Sequence, residues 1–224
     1  MEPEFWLDKW QSGKIGFHKD EVHPDLVAES DWLLSGGPHR VLVPLCGKSW
    51  DLFWLAEQGH RVVGIELAEA AVRAMHEEHG RRFTTRPVGP FVVYETEDLP
   101  CAVLCGNVFE LTPALLERVL GGLATAVWDR AALVALRPSD RSRYVALQRS
   151  LTVSGARVLL NVLNYDPAVM QGPPWCVSPE AVEALWGGED LAHLDRTSLY
   201  DQEPRWKASA HDWFDRDLYR VQRR

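Results

Sequence analysis

Short apolar runs rich in valine alternate with amphipathic stretches along most of this chain. Arg40-Val-Leu-Val-Pro-Leu45 and Arg61-Val-Val-Gly-Ile-Glu66 lack polar alternation, as strands covered on both faces of a parallel sheet require. Between them, Lys48 to Gln58 clusters Trp50, Leu52, Phe53 and Trp54 at helical spacing, and Gly59 supplies a stop. Ala68 to Glu78, rich in alanine and glutamate, reads as a second helix ended by Gly80. Phe91-Val-Val-Tyr94 fits an extra hairpin strand, and Ala102-Val-Leu-Cys105 a third strand of the main sheet. Thr112 and Pro113 are a cap and a first-turn residue for a helix reaching Val119. Thr125–Trp128 and Arg157–Leu163 predict the fourth and fifth strands, with a helix over Arg141–Leu151 between them. Ser178-Pro179-Glu180 opens a further helix, and Trp213–Val221 supplies a closing strand. Such alternation predicts an open, mostly parallel α/β sheet with helices on both faces.

Composition narrows the class. The chain has 224 residues, no internal repeat and no low-complexity linker, so one domain over 1–224 is expected. Hydrophobic residues make up 46% and charged ones 25%, a balance that supports a large core and excludes disorder. A net charge of −8 argues against a nucleic-acid partner held by bulk phosphate attraction. Cys46, Cys101, Cys105 and Cys176 have neither zinc nor CxxC spacing, which predicts reduced thiols. The opening Met-Glu-Pro-Glu-Phe-Trp is not a signal peptide, and no apolar run is long enough to span a membrane. A cytoplasmic protein without membrane association is therefore expected. Ten tryptophans are the unusual entry in the composition, and they serve cores and flat-ligand sites alike.

Ligands of doubly wound sheets sit beyond the carboxyl ends of the strands. The loop after the first strand, Pro44-Leu-Cys-Gly-Lys-Ser49, imitates the end of a Walker A loop, but Leu42 stands where that motif needs glycine. Gly47 is the only glycine there, so no dinucleotide cradle is present either. Glu66 ends the second strand, nineteen residues after Gly47, where a carboxylate can accept both hydrogen bonds of an adenosine ribose. An acid-held ribose without a phosphate cradle suits S-adenosylmethionine; the alternative is an acid that caps the next helix. His76 and His79, three apart, read as exposed residues on a glutamate-rich face because no third metal ligand is evident, and His18 and His23 near acids carry the same reading. Cys46 reads as a small residue packed close to a ligand rather than as a nucleophile.

Five ordered blocks go further. They are Phe5-Trp-Leu-Asp-Lys-Trp-Gln-Ser-Gly-Lys-Ile-Gly-Phe-His18, Val43-Pro-Leu-Cys-Gly-Lys-Ser49, Gly59-His-Arg-Val-Val-Gly-Ile-Glu66, Trp128-Asp-Arg-Ala-Ala-Leu-Val-Ala-Leu136, and Tyr165-Asp166 with Gly172-Pro-Pro-Trp175. Together they resemble the thiopurine S-methyltransferase family over nearly the whole chain. The resemblance implies a Rossmann-like class I methyltransferase fold: a seven-stranded mixed sheet, helices on both faces, and an N-terminal helical lid within residues 1–35. It implies that Trp6, Trp10, Leu45, Glu66, Asn107, Val108 and Arg130 surround S-adenosyl-L-methionine, while Phe17 and Arg130 face the acceptor. Asn107 stands where relatives carry serine or aspartate, and Trp175 where a smaller aromatic is usual.

Plainer readings stand beside these. Trp6 and Trp10, one helical turn apart, fit the apolar stripe of a packed N-terminal helix, and Asp129-Arg130 fits a surface ion pair of little energetic value. The function expected is methyl transfer from S-adenosylmethionine to the sulfur of a thiopurine or related small thiol, by a monomer, with Arg130 as the local cation. No metal and no catalytic acid or base is expected, since alignment of the two substrates carries the rate. The alternatives are a selenium or tellurium oxyanion acceptor and a non-catalytic adenosyl-ligand binder.

Overall fold

The computed structural model describes residues 3–200 and 213–224. Two helices, α1 (Pro3–Gln11) and α2 (Pro24–Leu33), precede the first strand. The alternating core follows: β1 (Arg40–Pro44), α3 (Asp51–Glu57), β2 (Arg61–Glu66), α4 (Glu69–Glu78), β3 (Phe83–Val88), β4 (Phe91–Thr96) and β5 (Cys101–Cys105). After a 3-10 turn at Val108–Glu110 come α5 (Pro113–Leu120), β6 (Ala124–Arg130), α6 (Ala132–Ala135), α7 (Pro138–Ser150) and β7 (Thr152–Tyr165). The chain closes with α8 (Pro179–Trp186), β8 (Asp190–Ser198) and β9 (Phe214–Gln222).

These strands form one sheet in the order β3-β4-β5-β2-β1-β6-β7-β9-β8. The central five, β5-β2-β1-β6-β7, run parallel, and the outer pairings are antiparallel. The sheet has nine strands rather than the expected seven, because the hairpin β3–β4 extends it beyond β5. The two strands that escape the hydrophobic pattern, β3 and β8, are the two edges. Their sequences, Phe-Thr-Thr-Arg-Pro-Val and Asp-Leu-Ala-His-Leu-Asp-Arg-Thr-Ser, carry the proline and charges that keep exposed edges from pairing with other chains. The valine runs of β1 and β2 divide between two apolar layers. Val41, Val43 and Val62 pack with Leu52, Phe53 and Trp128 on one face, while Leu42, Val63 and Ile65 pack with Leu116, Leu133 and Val158 on the other. Each fully buried aliphatic side chain stabilises the fold by roughly 1.5–3 kcal/mol.

Three expectations are corrected here. His76 is not exposed: it is fully buried, its ring nitrogens at 2.9 Å from the Val72 carbonyl and 3.1 Å from Thr96 Oγ1. His79 is half-buried against Trp50 and Phe53, so the glutamates of α4 face water while the imidazoles face inward. Asp129 is no surface partner of Arg130. It lies fully buried behind α6 and α7, where its Oδ2 accepts from the Tyr144 hydroxyl at 2.8 Å and from the Gln148 amide. Trp128 is likewise core, with its Nε1 donating to Asp51 Oδ2 at 2.7 Å. Among the described residues no helix is long and apolar enough to cross a membrane.

Candidate active site

The strand order reverses at β1, which pairs with β2 on one side and β6 on the other. Loops leaving their carboxyl ends therefore part in opposite directions and leave a crevice between them. Leu45 and Ala131 open two of these loops with φ of +48° and +59°, the only non-glycine residues with positive φ among those described. That conformation is strained for a side chain bearing Cβ, and hydrogen bonds of neighbouring amides hold it in place. Cys46 N–H donates to the Ile65 carbonyl at 3.0 Å, and Ala131 N–H to the Asn161 carbonyl at 3.1 Å. Gly47 has φ of +56°, and a Cβ there would meet the Trp10 indole at 3.0 Å. Backbone conformation and close approach both require glycine.

Glu66, 6% exposed, fastens the floor. Its Oε2 accepts from Gly47 N–H at 2.8 Å and its Oε1 from Ala68 N–H at 2.7 Å. Its own carbonyl accepts from Gly106 N–H at 2.9 Å, drawing in the loop after β5. Burial pushes its carboxyl up, and the Ala68, Gly47 and Leu67 amides pull it back. The helix-capping role and a ligand role are compatible, because each carboxylate oxygen keeps a second lone pair.

The N-terminal segment over the cleft, the lid that the resemblance implies, begins at α1, which has no buried residue of its own. Trp6 and Trp10 instead meet Phe17 edge-on, at 5.5 Å and 84° and at 5.6 Å and 80°. Phe17, 38% exposed, thus centres an aromatic cluster whose Trp10 rests on Gly47. Arg130 Nη2 reaches the Phe17 carbonyl at 3.4 Å and joins the lid to the end of β6. Beside it, His18 bonds Asp20 at 2.8 Å, and Lys48 from the floor bonds Glu78 of α4 at 2.6 Å. Burial and the Lys48 ammonium both lower the His18 imidazole.

Together these parts enclose a cleft of about 600 Å³. Trp6, Trp10, Phe17, Leu45, Glu66 and Arg130 all line it. Asn107 and Val108 do not: Asn107 Oδ1 caps the 3-10 turn by accepting from Phe109 N–H at 3.1 Å, and the Val108 side chain is in the core. Trp175 is half-buried and outside the lining, to which Pro173 and Pro174 contribute instead. Burial drives the Cys46 thiol well up, and its sulfur lies under β2, 2.7 Å from where a Cβ on Gly64 would stand. A packing role follows, as expected.

His23, read from the sequence as exposed, instead lines the cleft with Asn161 and Arg216, which sequence reasoning missed; α2's start, β7 and β9 bring the three to the wall near Arg130. Asp25 gathers them: its Oδ2 accepts from Asn161 Nδ2 at 2.8 Å and its Oδ1 from the Arg216 guanidinium. The cleft carries six cationic side chains, Lys9, Lys14, Lys19, Lys48, Arg130 and Arg216, against two carboxylates, Glu21 and Glu66. In a chain of net charge −8 that concentration makes the cleft locally positive, though Lys48 is balanced by Glu78 and Arg216 by Asp25.

A buried carboxylate bonded to a one-glycine loop, roofed by indoles, fits an adenosyl group and offers no pyrophosphate cradle. The sequence model for Thiopurine S-methyltransferase (TPMT) matches residues 1–224. The chain belongs to the thiopurine S-methyltransferase family. A thiopurine S-methyltransferase of Xanthomonas campestris pv. campestris (strain 8004) is 40% identical, with 100% of each chain covered. One from Bordetella petrii is 38% identical, covering 100% of this chain and 99% of that one. Among solved structures, 1,6-didemethyltoxoflavin-N1-methyltransferase of Burkholderia thailandensis, with bound S-adenosylhomocysteine, superposes with a TM-score of 0.63. It is 18% identical, over 99% of this chain and 86% of that one. Magnesium protoporphyrin IX methyltransferase of Synechocystis PCC 6803, also with bound S-adenosylhomocysteine, gives 0.61 at 12% identity over 100% of both chains. Like its family, this enzyme is an S-adenosyl-L-methionine-dependent methyltransferase on the class I fold.

Proposed function

We propose that this enzyme methylates the sulfur of thiopurines or related small thiols, acting as a cytoplasmic monomer. The observation that carries the reading is one cleft with Glu66 at its floor and Arg130 in its wall, both under the same aromatic lid. When bound, S-adenosylmethionine supplies an electrophilic methyl group on a sulfonium. Glu66 would take the ribose hydroxyls on the lone pairs that Gly47 and Ala68 leave. Leu45, Trp6 and Trp10 would surround the rest of the cofactor.

Phe17 and Arg130 would face the acceptor. Burial lowers the Arg130 guanidinium while Asp51 and Asp25 raise it, and an arginine so placed stays cationic at neutral pH. It would favour the thiolate over the thiol. A thiolate needs no general base, and His23 would be a poor one: burial and the neighbouring Arg130, Arg216 and Lys19 push its imidazole down to about 3. The enzyme's contribution is then alignment and exclusion of water, an advantage of up to about 7–11 kcal/mol in ideal cases.

A second acceptor class, selenium or tellurium oxyanions, is favoured by the six cations of the cleft. Incubation with methyl-labelled donor and 6-mercaptopurine, thiophenol, selenite or tellurite separates the readings. Label on the thiopurine sulfur is expected; transfer to oxyanion-derived species alone supports the second reading. No transfer to any sulfur, selenium or tellurium acceptor contradicts both.

A further inference from the structure

His23 lines the cleft beside Arg216 and Asn161 and has no role in the chemistry above. It starts α2 as its N-cap, and its Nδ1 accepts from Asp25 N–H at 3.2 Å. A backbone amide can only donate, so that nitrogen is the unprotonated one and the hydrogen sits on Nε2. The backbone on both sides is fixed. His23 N–H donates to Asp51 Oδ1 at 2.8 Å, while Asp51 Oδ2 is held by Trp128, whose ring lies 5.5 Å from the imidazole. The alternative, a protonated Nδ1 paired with Asp25 Oδ2 at 3.6 Å, is opposed by that carboxylate's existing bonds to Asn161 and Arg216. No described residue accepts from Nε2, and it is not among the sealed, partnerless atoms of the interior.

We propose that His23 is a specificity-determining residue, a neutral donor whose Nε2–H recognises a lone pair on the acceptor beside its reacting atom. The chemistry it selects is a heterocycle with a ring nitrogen, or another hydrogen-bond-accepting atom, adjacent to the carbon bearing sulfur. A plain aryl thiol has nothing to offer this donor. Arg130 and Arg216 attract the negative charge of either kind of acceptor, whereas His23 reads the pattern of lone pairs. Its low basicity keeps it neutral across the physiological range, so it adds direction without adding charge. The inference rests on the thiol-methyltransferase reading above and deepens it.

Three variants separate recognition from capping. His23→Ser keeps an N-cap hydroxyl but has no group long enough to donate into the cleft. His23→Asn keeps both functions on one carboxamide, and His23→Ala keeps neither. For H23S, kcat/KM with 6-mercaptopurine should fall about tenfold, as loss of one directed hydrogen bond implies, and thiophenol should change less than about twofold. H23N should retain most of the preference, and only H23A should lower Tm. Nitrogen-15 NMR of the intact enzyme should show a protonated Nε2 and an unprotonated Nδ1 at neutral pH. An equal loss on both acceptors in H23S, or a proton on Nδ1, overturns the inference and leaves the parent reading standing. A wild-type enzyme that methylates neither thiol overturns both.

Discussion

The floor of the cleft and its lid are built on opposite principles. The turns of the floor are fixed by hydrogen bonds from main-chain amides: Glu66 holds two amides with its carboxylate and a third with its carbonyl, and Leu45 and Ala131 stay strained beside bonded amides. The lid buries no residue of α1 and rests on edge-on rings, the Trp10–Gly47 contact and one long bond from Arg130 to the Phe17 carbonyl. The floor is thus part of the sheet, while the N-terminal segment above it is attached by fewer and weaker contacts.

That contrast can be broken at either part. Glu66→Ala should be the most damaging change, because two buried amides lose their acceptor as well as any ligand bond. Cofactor affinity measured by calorimetry should drop at least ~100-fold, and stability in denaturant titration by about 2–6 kcal/mol, each of the two unsatisfied donors costing ~1–3 kcal/mol. Asp129 sharpens the contrast from beneath. Burial pushes its carboxyl up to about 6 from 3.8, against the opposing bonds of Tyr144 and Gln148 and the amides of Leu133 and Ala132. Between those values the folded state binds more protons than the unfolded one, so stability falls as pH rises from about 4 to about 6 and is level above. The rise corresponds to ~3 kcal/mol. Asp129→Asn, which cannot ionise, should remove that slope from the pH dependence of urea unfolding.

Trp10→Ala attacks the lid alone. Cofactor affinity should weaken about tenfold while stability changes by less than ~1 kcal/mol, since α1 contributes no core residue. An equal loss of stability in W10A and E66A would erase the distinction between lid and floor. The smallest effect belongs to Glu78→Gln, which removes the 2.6 Å bridge to Lys48. Glu78 is 42% exposed on its side-chain surface, so unfolding should shift by less than about 1 kcal/mol.

The same contrast governs what the sequence discloses. β1, β2 and β6 are covered on both faces, so their valine runs are visible without any structure, and with them the position of Glu66 at a strand end. The edges β3 and β8 are invisible to that signal because an exposed edge is written in charges and proline. In α1 the spacing of Trp6 and Trp10 predicts a helix but not what it covers; the family resemblance pointed to a lid. His76 misled because its polar neighbours on α4 say nothing of the inward face it occupies. His23, Asn161 and Arg216 come together only through the packing of α2 on the β7–β9 pair, in which Leu163 stands opposite Arg216. No local pattern encodes that meeting. The six cations of the cleft were legible only as Arg130, because net charge averages over a surface that the fold divides.

The central claim is that this floor and lid together select an adenosyl ligand lacking a pyrophosphate. Calorimetric titration of the unaltered enzyme with S-adenosylhomocysteine, repeated with NAD, tests it most directly. Saturable one-to-one binding of S-adenosylhomocysteine, with no heat from NAD, is the predicted result. Preference for NAD, or silence toward both, would contradict the account.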